Sequence, residues 1–453
     1  MKDKQTIDDL IGMVFDLQER VRALEREVTV LEKENAELRS KLGGDGGKKG
    51  VKPPEWVKAS TPEQPKKGRK KRGKVFFRLR QAPTRIVEHA HDTCPDCGRA
   101  LSGGTVHHSR QVIDIPPVTV EVVEHRYISR HCGVCRKNYV PKVDLSGEVI
   151  GTHRIGIRLM SLVSYFAIAA RMPKRVICKV LKSLYDVDIG YGEIDKILSS
   201  VARRCKGEED NILSTIRENR WLHSDETGWR QNGKNGYIWS LSIPGLRFFA
   251  WNRSRASQVA KDLIGEAYGG VVVSDFYCGY SPLLCRHQRC WVHFLRELRK
   301  LKEDHPDDRS VHGWAKKIKR VHDAAKVAAG TDAKDRIKLR RRFEVKLLSL
   351  ATPYLKTDTP QRVLAQRIER FASELFIFVE DPAIPSENNA AERAVRPAVI
   401  ARKVCGGTRS ESGTETKMTL MSLFGTWAAR GLDGIESCRS LLMGQSVIFP
   451  EPI

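Results

Sequence analysis

The order of predicted strands and helices between residues 221 and 275 constrains the fold more than any other feature of this chain. Turn residues and hydrophobic periodicity mark three strands at 221–228, 236–243 and 246–251, a helix at 256–267 and a buried strand at 270–275. The first strand runs into Asp225, and the last strand ends at Asp275. In an RNase H-like mixed sheet these two strands are neighbours, so we expect the two aspartates to meet at one edge of the core.

A third carboxylate is expected on a helix further along the chain. Hard cations prefer oxygen ligands, so carboxylates on neighbouring strands predict a Mg²⁺ site that a later acid completes. A helix between Ser386 and Pro397 supplies Glu392 in its middle, with Ser386 as the predicted cap and Pro397 as the predicted end. Two other acids in the same segments, Glu226 and Glu387, are alternatives to the three chosen acids.

Two CxxC knuckles precede this region, with 34 residues between them. Their thiols are those of Cys94, Cys97, Cys132 and Cys135. Four thiolates suit a tetrahedral structural Zn²⁺ site, and the glycine after or within each pair favours zinc over the alternatives, a redox pair or a disulfide. Strand composition at 111–115 and 118–123 predicts a zinc ribbon over residues 86–150.

The first forty residues contain a heptad repeat with leucine at every d position and mostly β-branched residues at the a positions. The d residues are Leu10, Leu17, Leu24, Leu31 and Leu38, and the a residues are Ile7, Val14, Val21, Val28 and Asn35. This pattern predicts a parallel two-stranded coiled coil over 1–42, and therefore a homodimer or a higher oligomer. The alternative is a helix that packs on its own domain.

Charge is concentrated in the segment that follows the heptads. The chain has 79 Lys and Arg against 55 Asp and Glu, a net charge of +24, and residues 41–80 alone contribute fourteen basic and three acidic residues. Such a segment predicts a flexible linker over 43–85 that neutralises the phosphates of a polyanion; a merely solvated tether is the alternative. The predicted phosphate contacts, which would be DNA contacts if the partner is DNA, are Lys66, Lys67, Arg69, Lys70, Lys71 and Arg72.

The remaining segments are predicted to be helical. Helices are expected at 155–171, 173–185 and 191–204, within a DNA-binding or connecting region at 151–210. A helix-turn-helix and a packing scaffold are the two interpretations of this region. Four further helices rich in Lys and Arg are expected at 291–302, 311–328, 333–350 and 361–374. The sequence contains no run of eighteen apolar residues and no secretory segment, so we expect a cytoplasmic protein.

These motifs together resemble the DDE transposases of the insertion sequence 66 family. The resemblance runs from the heptads to about residue 430 and is carried by the CxxC knuckles, His223–Thr227, Val273–Asp275 with Tyr280, His287–Arg296 and Asn388–Pro397. It implies an RNase H-like catalytic domain over 211–430 with a helical insertion at 276–385, followed by a C-terminal tail at 431–453. It carries the catalytic, magnesium-binding triad onto Asp225, Asp275 and Glu392. Cys290 and His293 belong to a signature of the insertion, either as metal ligands or as packing residues.

The resemblance also implies a function. The protein would bind the ends of its insertion sequence, cleave them with Mg²⁺ to leave a 3′-hydroxyl, and transfer that hydroxyl to target DNA. Arg393 and Arg396 would contact the DNA backbone. Other proteins encoded by the same element are expected as possible partners. The protein is expected to lie in the prokaryotic cytoplasm, associated with the nucleoid. The alternatives are a non-enzymatic DNA-binding regulator with a degenerate RNase H-like domain, and a nuclease that cuts without joining.

Overall fold

A computed structural model of the protein describes residues 80–115, 118–332 and 334–449. The chain divides into two compact units, one ending at Ile113 and the other beginning at Asp114. The predicted coiled coil at 1–42 and the predicted DNA contacts between Lys66 and Arg72 lie outside the described residues. Both therefore remain predictions.

The segment between the two cysteine knuckles contains fewer strands than its composition predicts. A short antiparallel hairpin is formed by β1 (Arg130–Cys132) and β2 (Lys137–Tyr139). The predicted strands at 111–115 and 118–123 are wrong, since the described residues of both segments lie outside any strand. Valine and isoleucine favour extended backbone, but a strand also needs a partner whose amides and carbonyls pair with its own.

Five strands of the second unit form one mixed sheet. They are β3 (Trp221–Gln231), β4 (Lys234–Ile243), β5 (Leu246–Asn252), β6 (Val271–Ser274) and β7 (Arg286–Arg289), in the spatial order β5-β4-β3-β6-β7. β4 pairs antiparallel with β3 and β5, whereas β6 pairs parallel with β3 and β7. The left-handed residues Asn232, Gly233 and Gly245 make the two hairpin turns where turns are expected. The predicted mixed α/β sheet is confirmed, while its specific likeness to RNase H remains a prediction.

The fifth strand extends the sheet into the predicted insertion. Arg286–Arg289 has a polar sequence, Arg-His-Gln-Arg, yet it pairs with β6 along its whole length and its last three residues are buried. A short 3-10 helix occupies Cys278–Tyr280, and the α-helices of the segment 276–385 begin only at Trp291. The domain bounds themselves remain predictions.

The helices that begin beyond β7 build a core of their own. They are α6 (Trp291–Asp304), α7 (Arg309–Ala329), α8 (Arg336–Ala351), α9 (Arg362–Phe371) and the short α10 (Ile377–Glu380). The four longer helices confirm the four predictions in this region, with ends that differ by up to three residues. Trp291, Phe294, Trp314, Ile318 and Phe376 are among the buried residues that hold this bundle together.

Other helices cover the sheet and share a larger core with it. They are α1 (Ile157–Ile168), α2 (Lys174–Tyr185), α3 (Tyr191–Arg204), α4 (Lys206–Glu218), α5 (Ser257–Ile264), α12 (Glu411–Ala429) and α13 (Gly434–Leu442). Buried side chains of α1 to α3 pack in this core, which supports the packing interpretation of 151–210. The predicted tail at 431–453 contains α13, whose Cys438 and Leu442 are also buried there. Among the described residues, every helix is too short or too polar to span a lipid bilayer.

The helix that carries Glu392 differs from its prediction at both ends. This helix, α11, runs from Asn389 to Cys405, so Glu392 lies in its first turn and Pro397 is an interior residue. The predicted Ser386 cap and the predicted end at Pro397 are both wrong. Proline removes one backbone donor, but the turns beyond it bury Ala398 and Ala401 in a small core, and that burial favours continuing the helix.

Candidate active site

The register of two parallel strands brings Asp225 and Asp275 to matching positions. β3 pairs with β6 so that His223 lies opposite Val273, and each aspartate follows two residues later on its own chain segment. Because side chains alternate along a strand, Asp225 projects on the same side of the sheet as His223. The neighbouring strands expected from the sequence are thus observed, and both aspartates lie just beyond the last residue pair of β3 with β6.

Asp225 lies in a buried and strongly acidic environment. Its Oδ1 accepts a hydrogen bond of 2.9 Å from the backbone amide of Glu226. Burial, with the negative charges of Glu226, Asp275 and Glu392, raises the pKa of Asp225 to about 7, against the opposing effect of that amide. The three acids predicted as a triad are therefore close enough to interact electrostatically.

Asp275 is held by a turn and by a buried arginine. Its Oδ1 accepts a hydrogen bond of 2.9 Å from the amide of Tyr277. The fully buried Arg289 donates to the carbonyl of Asp275 at 3.0 Å and to the Ser274 hydroxyl at 3.2 Å, while its Nε pairs with Glu374 at 2.6 Å. Arg289 has no role predicted from the sequence, because nothing in a sequence shows that an arginine in a polar segment will be buried.

Glu392 faces two side chains of α6. Arg296 Nη2 lies 3.3 Å from both carboxylate oxygens of Glu392, and His293 Nε2 lies 3.6 Å from one of them. Arg296 was also missed, although its spacing from His293, three residues along a helix, could have revealed it. The alternative acid Glu387 precedes the start of α11 and is not on the helix.

Glu226 is paired on all sides and is therefore a poor candidate for a metal ligand. Its side chain is only 2% exposed. One oxygen accepts a hydrogen bond of 2.8 Å from Arg255, and the other accepts one of 2.5 Å from the Tyr280 hydroxyl. Burial raises the pKa of Glu226, while both of these hydrogen bonds lower it. The structure thus supports Asp225 over its neighbour as the acid that is available to a ligand.

The start of α11 is tied to the strand that carries Asp225. The buried Asn388 accepts a hydrogen bond of 2.7 Å from His223 Nδ1 and donates one of 2.9 Å to the Ser224 carbonyl. Burial lowers the pKa of His223 to about 4, so this imidazole is neutral at physiological pH. The buried thiol of Cys290 accepts a hydrogen bond of 3.1 Å from the Asn388 amide.

Each cysteine knuckle has the local geometry of a thiolate ligand turn. In the first unit, backbone amides of Cys97 and Asp96 lower the pKa of Cys94, and Gly98 follows in the left-handed region. In the second unit, amides of Cys135 and Val134 lower the pKa of Cys132 in the same way, and Arg136 adopts the left-handed conformation. Amides that point at sulfur stabilise the thiolate, which is the form that binds metal.

The described residues do not present a preassembled metal site. Taken separately, neither unit brings three or more His, Cys, Asp or Glu side chains of the described ranges into a metal-binding group. The predicted DNA contacts Arg393 and Arg396 are both exposed on α11, just beyond Glu392.

Two models of known protein families match parts of this chain. Residues 153–416, more than half of the chain, match the model described as "Transposase IS66 family", and residues 91–136 match the "zinc-finger binding domain of transposase IS66". The chain belongs to the IS66 family of transposases. The first match contains all three candidate acids, and the second contains all four knuckle cysteines.

Three relatives of this IS66-family chain come from Sinorhizobium fredii (strain NBRC 101917 / NGR234), and each is called an uncharacterized protein. Protein y4jO is 31% identical over 171 residues, which cover 38% of this chain and 50% of y4jO. Protein y4hP is 20% identical over 396 residues, covering 77% of this chain and 70% of y4hP. Protein y4qI is 24% identical over 265 residues, which cover 50% of this chain and 48% of y4qI. The chain thus spans about half the length of two of these relatives.

Proposed function

We propose that this IS66-family chain is a DNA transposase that cuts the ends of its insertion sequence and joins them to target DNA. In this proposal Asp225, Asp275 and Glu392 form a DDE triad on an RNase H-like sheet. The observation that carries the proposal is the parallel pairing of β3 with β6, which aligns the two aspartates, together with the influence of Glu392 on the pKa of Asp225.

The donor set fits a pair of Mg²⁺ ions by its chemistry. All three side chains offer carboxylate oxygens, the ligand type that Mg²⁺ prefers. The raised pKa of Asp225 reflects burial together with the like charges of Glu226, Asp275 and Glu392, an energetic cost that a bound cation would reduce. When bound, the ions would polarise the scissile phosphate and make the attacking oxygen a stronger nucleophile.

The protein residues would then have distinct roles. Asp225 would bind and orient the ions from within β3, Asp275 would do so from just beyond the end of β6, and Glu392 would complete the site from α11. Arg393 and Arg396 would hold DNA phosphates beside the acids, which positions a strand without reading its sequence. Cleavage would leave a 3′-hydroxyl that attacks target DNA in the same site, so this scheme needs no serine or tyrosine nucleophile.

The two knuckles would supply a structural zinc site. Four cysteine thiols are the ligand set of a closed tetrahedral zinc site, and amide donors already favour the thiolate at Cys94 and Cys132. We assign Zn²⁺ to Cys94, Cys97, Cys132 and Cys135. The zinc-binding region would contribute to recognition of the element ends. The basic linker would add salt-sensitive affinity for DNA, and the predicted coiled coil would bring two copies of the chain together.

A single assay tests this proposal against its alternatives. Purified full-length protein is incubated with labelled element-end DNA, a target plasmid and Mg²⁺. A transposase yields joined product, a nuclease yields only cut ends, and a regulator binds DNA without altering it. Joined product is the outcome we expect.

The Asp225→Asn variant provides the matched control. It keeps the shape of the side chain but removes the charge that would bind metal, so strand transfer should be lost while binding to end DNA stays nearly intact. Joining by this variant at the wild-type rate would overturn the triad assignment.

A further inference from the structure

A junction of buried hydrogen bonds links the segments that carry the three acids. Asn388 bonds to His223 and to the Ser224 carbonyl through its side chain, at 2.7 and 2.9 Å. The backbone amide of Cys290 donates to the Ser274 carbonyl at 2.9 Å, and its sulfur accepts from the Asn388 amide at 3.1 Å. Two residues therefore connect β3, β6 and the start of α11, each through both its backbone amide and its side chain.

The bonds of this junction lie immediately beside the acids. The two carbonyls that accept them belong to the residues directly before Asp225 and Asp275. Asn388 precedes Glu392 by four residues, which is about one helical turn. A shift of the junction would consequently move all three carboxylates relative to one another.

Because the junction is buried, each of its polar groups depends on its protein partner for a hydrogen bond. Asn388 is 1% exposed and Cys290 is fully buried, so water is poorly placed to replace a lost partner. An unpaired buried polar group is costly, and this cost strongly favours the one arrangement that satisfies every donor and acceptor. The neighbouring Asn389, in contrast, makes no side-chain hydrogen bond among the described residues and is only half-buried.

We propose that Asn388 and Cys290 are positioning residues that fix the relative positions of Asp225, Asp275 and Glu392 so that the three acids can bind divalent cations. This inference rests on the proposed function, because it assumes that the three acids bind metal. It also gives Cys290 a role as a hydrogen-bond acceptor rather than as a metal ligand.

The first test measures cation affinity without relying on DNA chemistry. Binding of Mn²⁺ to the full-length protein is followed by the electron paramagnetic resonance signal of the free ion. Residues that orient metal ligands typically change affinity by about 10- to 100-fold when they are removed. Asn388→Ala should therefore weaken Mn²⁺ binding at least about tenfold, whereas Asn389→Ala, the matched control, should change it less than about twofold.

The second test removes the hydrogen-bond acceptor at position 290 and then restores it with a different side chain. Cys290→Ala removes the acceptor for the Asn388 amide, whereas Cys290→Ser keeps an acceptor at the same position. The alanine variant should weaken Mn²⁺ binding, and the serine variant should restore most of it. Cys438→Ala removes another buried thiol, in α13, and should leave Mn²⁺ affinity unchanged even if thermal stability falls.

Hydrogen exchange reports on the hydrogen bonds of the junction directly, independently of Mn²⁺ affinity. In Cys290→Ala, the peptide that contains Asn388 should exchange faster than in the wild type, while peptides from α13 should not. Equal loss of Mn²⁺ affinity in Asn388→Ala and Asn389→Ala, or unchanged affinity in Cys290→Ala despite faster exchange, would overturn the positioning role. If the wild-type protein has no Mn²⁺ site that depends on Asp225, the proposed function fails, and the positioning role fails with it.

Discussion

The sheet and the cysteine knuckles of this protein maintain their geometry by different means. In the sheet, Leu222, Val272 and Val273 are completely buried, and hydrogen bonds connect neighbouring strands. In the knuckle region, Val122 and Val134 are more than 90% exposed. Segments that bury little apolar surface commonly depend on a metal cross-link, so we expect the knuckles to need zinc and the sheet to be independent of it.

The cysteines show the same contrast at the level of single atoms. The thiol of Cys290 is buried, and burial raises its pKa. Cys94 and Cys132 are accessible to solvent, and backbone amides lower the pKa of both. A C-x-x-H spacing and a C-x-x-C spacing look alike as candidate metal motifs, but surroundings decide which sulfur is suited to bind an ion.

Removal of zinc should produce the largest difference in stability between the knuckle region and the sheet. Chelation, or Cys132→Ser, should make the knuckle segments fully accessible to hydrogen exchange while β3 and β6 remain protected. Affinity for element-end DNA should fall at least about tenfold, as expected when a metal-dependent module unfolds. Cleavage of pre-nicked DNA should persist at saturating protein. Loss of that cleavage with unchanged DNA affinity would contradict a structural role for zinc.

Substitution of Arg289 should damage the sheet and spare the knuckles. Arg289→Ala leaves the Glu374 carboxylate and the Asp275 carbonyl without their buried partner, so the free energy of unfolding should fall by about 3 kcal/mol. Urea denaturation measures this loss. Arg286→Ala is the matched control in the same strand, because its ion pair with Glu380 is half exposed and should contribute less than about 1 kcal/mol.

The acidity of the site should appear as a dependence of stability on pH. The pKa of Asp225 is about 7 in the folded protein, above its ordinary value of 3.8, so the folded state binds this proton more tightly than the unfolded state. The stability it contributes is present at low pH and is lost as the pH rises from about 4 to about 7. Urea denaturation of zinc-loaded protein without Mg²⁺ should show a shallower decline for Asp225→Asn. Parallel declines would contradict the assigned pKa.

The smallest effect is expected on the exposed face of α11. Arg396→Ala should weaken DNA binding only a few-fold and reduce the slope of log affinity against log salt by about 1, since one phosphate contact is lost. Fluorescence anisotropy at several salt concentrations measures this slope. An unchanged slope would show that this side chain does not contact phosphate.

The sequence was most informative where local pattern and burial agree. The prediction of the helix 191–204 is correct to the residue, and the pairing of the strands before Asp225 and Asp275 agrees with the prediction made by matching the order of elements to an RNase H-like sheet. It was misleading where tertiary contacts override local preference. The β-prone segment at 118–123 forms no strand, whereas polar Arg286–Arg289 does, because β6 offers it a paired edge and helices cover it.

The sequence by itself predicted the three candidate acids and the four candidate zinc ligands and determined the concentration of positive charge, since these depend only on residue type and spacing. Only the tertiary structure decided which of the adjacent acids, Asp225 or Glu226, remains available, because Arg255 and Tyr280 reach Glu226 from distant parts of the chain. It likewise decided that the side chain of Asn388, and not that of Asn389, connects the start of α11 to β3. Hydrogen bonds between residues more than 150 positions apart leave no periodic trace in a sequence, and they form only once the core has brought their partners together.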